Sequence, residues 1–136
     1  MVFLMLGVAA TPAMACNYTY TVIDPTGRET VVSEGNSLTL VQGETYVLRM
    51  EYWENHRNCT VTPEDTLYLV DGARWRPDRD TQPLILRETA EWEQTASRTH
   101  RGEFTFDAAR EGAWSVEVVR VCDRGGYHGA FLLEVR

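Results

Sequence analysis

The sequence contains no lysine: all 13 basic residues are arginine, set against 20 Asp and Glu for a net charge of −7. An acidic surplus repels phosphate backbones, and Arg49, Arg57, Arg74, Arg87 and Arg120 are scattered among acids instead of forming a basic stripe. Nucleic acid is therefore not expected as a partner. The missing lysine, beside abundant Arg, Gly and Ala, points to GC-rich bacterial codon usage and carries no functional meaning. Long hydrophobic runs are also lacking. The apolar stretch Val2 to Ala10 is about half the roughly 20 residues that a membrane-spanning helix needs. No Gly-x-Ser-x-Gly elbow occurs, and Ser33, Ser37, Ser97 and Ser115 stand in no catalytic arrangement with a histidine. A hydrolase is not expected, and the chain reads as a non-enzyme. What is present, 43% hydrophobic and 24% charged residues, is the composition of one ordinary globular domain.

The first fifteen residues, Met1 to Ala15, carry no charged side chain. The apolar run ends at Thr11-Pro12 and is followed by Ala13-Met14-Ala15, the h-region and A-x-A pattern of a secretory signal, though a positive n-region is missing. The expected division is a signal peptide over 1–15 and a single domain over 16–136, exported to the periplasm or outer cell envelope. Export places the three cysteines in an oxidising compartment. Cys16 would be the first residue after cleavage, where bacterial lipoproteins carry their acylated cysteine, although Ala13 stands where such signals prefer Leu. Cys16 is thus a lipidation candidate, with a free or disulfide-bonded thiol as the alternatives. A lipid there would leave Cys59 and Cys122 to pair.

Beyond Cys16 nearly every segment alternates with a period of two between turn residues, the pattern of half-buried strands. Tyr18, Tyr20 and Val22 share one face of a strand that stops at Asp24-Pro25-Thr26-Gly27. In the long strand Thr45 to Trp53, Tyr46, Leu48, Met50 and Tyr52 alternate with Val47, Arg49, Glu51 and Trp53, giving one core face and one mixed face. Asp71-Gly72 predicts a tight hairpin, because both residues tolerate positive φ. Phe104 and Phe106, then Trp114, Val116 and Val118, then Phe131, Leu133 and Val135 define the last strands. Residues 88–96 fit a helical turn or an edge strand equally well. The sum is eight to ten short strands, an all-β, antiparallel, two-sheet Greek-key sandwich.

The block Gly102-Glu103-Phe104-Thr105-Phe106 with Glu111-Gly112-Ala113-Trp114-Ser115-Val116-Glu117-Val118 resembles the penultimate strands of immunoglobulin-like and cupredoxin-like sandwiches. The separation of Cys59 from Cys122 is similar to that of the inter-sheet disulfide of immunoglobulin domains. A bridge closing a loop of about 60 residues would stabilise by about 4 kcal/mol in the chain-entropy model. It would also draw His56-Arg57-Asn58 close to Asp123-Arg124-Gly125-Gly126-Tyr127-His128, making one composite surface from Trp53, His56, Arg57, Arg124, Tyr127 and His128.

The same thiols have a second reading. His56, Cys59, Cys122 and His128 together form the ligand set of a tetrahedral zinc site. His56 with Cys122 and His128 resembles the copper site of cupredoxins, without the Met that usually follows the second histidine. Trp75 and Trp92, flanked by charges, would mark a partner or carbohydrate surface if exposed. The leading expectation is a non-catalytic binding or accessory module of the bacterial cell envelope, with no cofactor and an envelope protein or small ligand as partner. The alternative is a cupredoxin-like copper or zinc binding protein.

Overall fold

The computed structural model describes residues 16–54, 61–77, 79–122 and 125–136. The expected leader, and His56, Arg57, Cys59 and Arg124 of the expected site, lie outside these residues.

Alternation in sequence becomes alternation in burial. In β1 (Cys16–Ile23), Cys16, Tyr18, Tyr20 and Val22 point inward. The turn after it is held by the Asp24 carboxylate, which accepts from the Thr26 amide at 2.9 Å, the Thr26 hydroxyl at 2.6 Å and the Arg28 amide at 3.0 Å. These bonds hold that carboxyl below its usual range. Two short strands follow, β2 (Glu29–Val32) and β3 (Ser37–Leu40), and then the long β4 (Thr45–Glu54). β4 buries Tyr46, Leu48, Met50 and Tyr52, as its pattern predicts. Its outer face carries Arg49, which bonds Glu29 at 2.8 Å and Glu103 at 2.6 Å across neighbouring strands.

A 3₁₀ turn (Pro63–Asp65) leads into β5 (Leu67–Val70) and the two-residue β6 (Ala73–Arg74). Between them Asp71 and Gly72 adopt φ of 48° and 78°, the paired left-handed geometry of the expected hairpin. The remaining strands are β7 (Leu84–Leu86), β8 (Glu91–Ala96), β9 (Thr99–Ala108), β10 (Gly112–Arg120) and β11 (Tyr127–Val135). Eleven strands are thus formed by the described residues, one more than the upper expectation. The ambiguous stretch 88–96 resolves as edge strand: β8 pairs with β9, with an irregularity between Gln94 and Ala96. Among the described residues no helix is long and apolar enough to cross a membrane.

One sheet runs β2-β1-β4-β9, with β7 and β8 pairing with opposite ends of β9; the other runs β3-β11-β10-β5-β6. All pairings are antiparallel except β3 with β11. Adjacent β4 and β9 facing a β5-β10-β11 sheet reproduce the B–E and C–F–G neighbours of an immunoglobulin-like sandwich. The architecture is an all-β, immunoglobulin-like two-sheet sandwich. It departs from immunoglobulin domains in its staple. The buried positions at the centres of β4 and β10 are Leu48, Met50, Val116 and Val118, so apolar contact replaces an inter-sheet disulfide there.

Aromatic rings fill the core. Trp75 is buried edge-on against Phe104 and Phe106, at centroid distances of 5.0 and 5.4 Å, and its indole N–H donates to the Leu84 carbonyl at 2.8 Å. Trp92 on β8 lies directly opposite Gly102 on β9. A Cβ at residue 102 would sit 2.6 Å from Trp92 Cδ2, so the indole packs where only glycine leaves space. We predict that Gly102→Ala lowers stability by about 2 kcal/mol through overpacking, and that Trp92→Ala also destabilises. In urea denaturation the double variant should lose clearly less than the sum of the two singles, because removing the indole takes away the group that the added methyl would strike; strict additivity would disprove the packing.

Candidate functional site

Of the expected composite surface, Trp53, Tyr127 and His128 lie within the described residues, and these three share no face. Trp53, 44% exposed, projects from the outer face of β4, with the Arg98 guanidinium 5.7 Å from its ring centroid. His128 projects from the outer face of β11, where its Nε2 lies 2.9 Å from Glu117. The two strands belong to different sheets, so the core lies between these side chains. Tyr127 does not belong to a surface at all. It is 4% exposed, because the alternation that turns His128 outward turns its neighbour inward. Its ring stacks on Tyr18 at 4.3 Å, and its hydroxyl lies 2.6 Å from that of Tyr20 and donates to the Glu34 carboxylate.

The cysteines also occupy informative places. Cys16 opens β1 with its side chain fully buried, opposite Glu54 on β4. Cys122, just beyond β10, is half-buried against the core. No disulfide joins described residues, and Cys59, the expected partner of Cys122, lies outside them. No group of three or more His, Cys, Asp or Glu among the described residues is placed to hold a metal. Of the expected ligands within them, Cys122 packs against the core while His128 faces outward to Glu117.

Sequence reasoning missed Arg120. Its guanidinium is fully buried at the end of β10, in the inward register of Val116 and Val118. Nη1 donates to the Thr62 carbonyl at 3.1 Å, Nη2 donates to the Val61 carbonyl and lies 3.5 Å from Glu54, and Cζ sits 4.5 Å over the Tyr52 ring. A charge is held inside a protein only when such partners replace water. Arg120 therefore ties Val61 and Thr62, beyond β4, onto the opposite sheet. Its parity with Val116 and Val118 was the available signal, since an arginine in phase with core positions has to be buried with partners.

An opening lies along one side, between the β5–β6 edge of one sheet and the β7–β8 edge of the other. Residues 88–90 separate β7 from β8 along β9, and β6 is only two residues long, so neither edge closes over the core. The result is a cleft of about 460 Å³. Tyr68, Trp75, Leu86 and Trp92 form its apolar lining, and Arg74, Arg76 and Glu64 are among its polar residues. The Arg-bearing lip is braced from within. The Gln82 side-chain amide donates to the Arg74 carbonyl at 2.8 Å, its oxygen accepts from the Arg76 amide at 3.3 Å, and Trp75 is held by Leu84. Size, aromatic lining and a few fixed polar groups are the attributes of a small-molecule site.

No protein-family model matches the chain, and no curated protein does. Among solved structures it is similar to the Ig-like domain (615–713) of human obscurin-like protein 1, at 14% identity and a TM-score of 0.43, covering 77% of this chain and 83% of that one.

Burial governs the titration of the aromatic interior. The Tyr18 phenol is pushed up to about 12, mainly by desolvation, against the opposing influence of its bond to Thr66 and of the Arg120 charge. Tyr20, Tyr52, Tyr68 and Tyr127 are raised further, and Tyr46 is raised too, in each case chiefly by burial. These are all six tyrosines of the chain. An unfolded phenol ionises near pH 10. Above that pH the unfolded state releases protons that the native state retains, so stability is intact below pH 10 and falls as pH rises from there through about 12. Absorbance at 295 nm should show no phenolate until the far-UV signal collapses, and then a single cooperative step. Gradual titration near pH 10 with the sheet signal unchanged would contradict this burial.

Proposed function

We propose that the chain is an exported, non-catalytic binding module of the bacterial cell envelope, and that it takes its ligand in the inter-sheet cleft. The observation that carries this reading is the cleft itself: an aromatic-lined opening into the side of the sandwich, with a braced lip. The immunoglobulin-like scaffold supports a non-catalytic role in general, while specificity has to come from the site it carries. The acidic, lysine-free composition supports a partner other than nucleic acid.

Export rests on the pattern of residues 1–15. The complete burial of Cys16 favours a mature domain whose first cysteine serves the core over one anchored by a lipid, since an acylated sulfur would have to leave the sheet. For Cys59 and Cys122 an oxidising compartment favours the structural bridge over a metal. Expression of the full chain in a bacterium with a periplasm should yield periplasmic protein whose mass begins at Cys16, with two fewer free thiols than cysteines after denaturation without reductant. An intact residue 1–15 segment, or three free thiols, would reject the export and bridge assignments.

The cleft has its own test. The chain has four tryptophans, Trp53, Trp75, Trp92 and Trp114, each with one indole N–H resonance. In a fragment screen followed by ¹H–¹⁵N spectra, aromatic fragments should shift Trp92 and Trp75 while leaving Trp53 and Trp114 unmoved, and Trp92→Ala should abolish binding. Hits that gather at Trp53, or none at all, would refute the cleft as the site.

A further inference from the structure

Charge is distributed unevenly among the arginines. Arg49, Arg87, Arg101, Arg120 and Arg136 each lie within 3.5 Å of a carboxylate oxygen. Among the described residues, Arg28, Arg74, Arg76, Arg79, Arg98 and Arg110 have no ion-pairing carboxylate. Of these, Arg74 and Arg76 are exposed and stand two residues apart on one lip of the cleft. Both have their backbone tied to the side chain of Gln82, so this lip fixes the backbone from which the two exposed guanidinium groups project. One acid, Glu64, also lines the cleft and pairs with neither arginine, which leaves the site a net positive charge on a negatively charged protein.

Beneath that lip the lining is aromatic: Tyr68 and Trp75 meet Phe104 edge-on, and Trp92 meets Tyr52 edge-on. Such surfaces favour flat, polarisable bodies that can add another offset or edge-to-face contact. A guanidinium favours a planar anion that accepts two parallel N–H bonds.

Building on the cleft as the binding site, we propose that its ligand is a small aromatic carboxylate, its ring seated among Tyr68, Trp75 and Trp92 and its carboxylate held at Arg74 and Arg76. The carboxylate is directed away from Glu64, so removal of that acid strengthens binding.

Cinnamate and its neutral isostere cinnamamide separate the charge from the ring. Titrations of the full-length mature protein, followed at the Trp92 indole N–H, should give about tenfold tighter binding of the acid than of the amide, the scale of one charge-assisted bidentate contact. The double variant Arg74→Gln/Arg76→Gln changes two exposed side chains. It should remove that preference and leave the amide affinity unchanged, while Glu64→Gln should tighten the acid about twofold and Arg136→Gln should change nothing. Equal affinity for acid and amide in the unaltered protein, or a preference that survives the double variant, overturns the proposal. If neither probe binds while other fragments still shift Trp92, the ligand class is wrong and the cleft reading stands; if nothing shifts Trp92, both fall.

Discussion

A guanidinium without bulk water organises one end of this sandwich. Arg120 stands where the alternation of β10 demands a core residue, and its charge is accommodated because two carbonyls, a carboxylate and a tyrosine face converge on it. Removing one partner of a buried charge typically costs about 3–5 kcal/mol, since the other is left uncompensated. The arrangement is therefore specified as a unit: the Val61 and Thr62 carbonyls and the Glu54 carboxylate, from beyond and at the end of β4, meet a guanidinium from the opposite sheet. Tyr18, Tyr52 and Tyr127 pack around it as stacked rings, and the hydroxyls of Tyr20 and Tyr127 find each other. That end of β10 is held by polar bonds inside an aromatic shell.

Along one side the core can be reached from solvent. Greek-key sandwiches have free edges, and here both edges on one side are weak: a two-residue strand in one sheet and a strand interrupted at residues 88–90 in the other. The same weakness that exposes backbone at an edge opens a cleft onto Tyr68, Trp75 and Trp92. Scaffold and site are thus divided in the chain, with the long strands β4, β9, β10 and β11 supplying rigidity and the short strands with their connections supplying the opening.

Much of the scaffold was legible in the sequence because a strand has a period of two and one face of each sheet is buried. Tyr46, Leu48, Met50 and Tyr52 follow that rule, as do Phe104, Phe106, Phe131, Leu133 and Val135. The hairpin at Asp71-Gly72 was legible for a different reason, since few residue pairs tolerate two successive positive φ values. The candidate site was much less legible. Tyr127 looked like a loop residue and is core, while Trp75, flanked by arginines, is buried because its single N–H finds the Leu84 carbonyl. Trp92 was ambiguous until β8 was seen to pair with β9, because its place depends on a glycine ten residues away that leaves room for the indole.

The sequence by itself determined which residues face inward within each strand, where the turns fall, and the sign of the protein's charge. These are local properties, set by backbone geometry and composition. Tertiary structure decided which strands became neighbours, which edges stayed open, and that Trp53 and His128 stand on opposite faces while Arg74 and Arg76 share a lip with three aromatic rings. Those outcomes depend on pairings between residues far apart in the chain, and periodicity along one strand holds no information about the partner across from it.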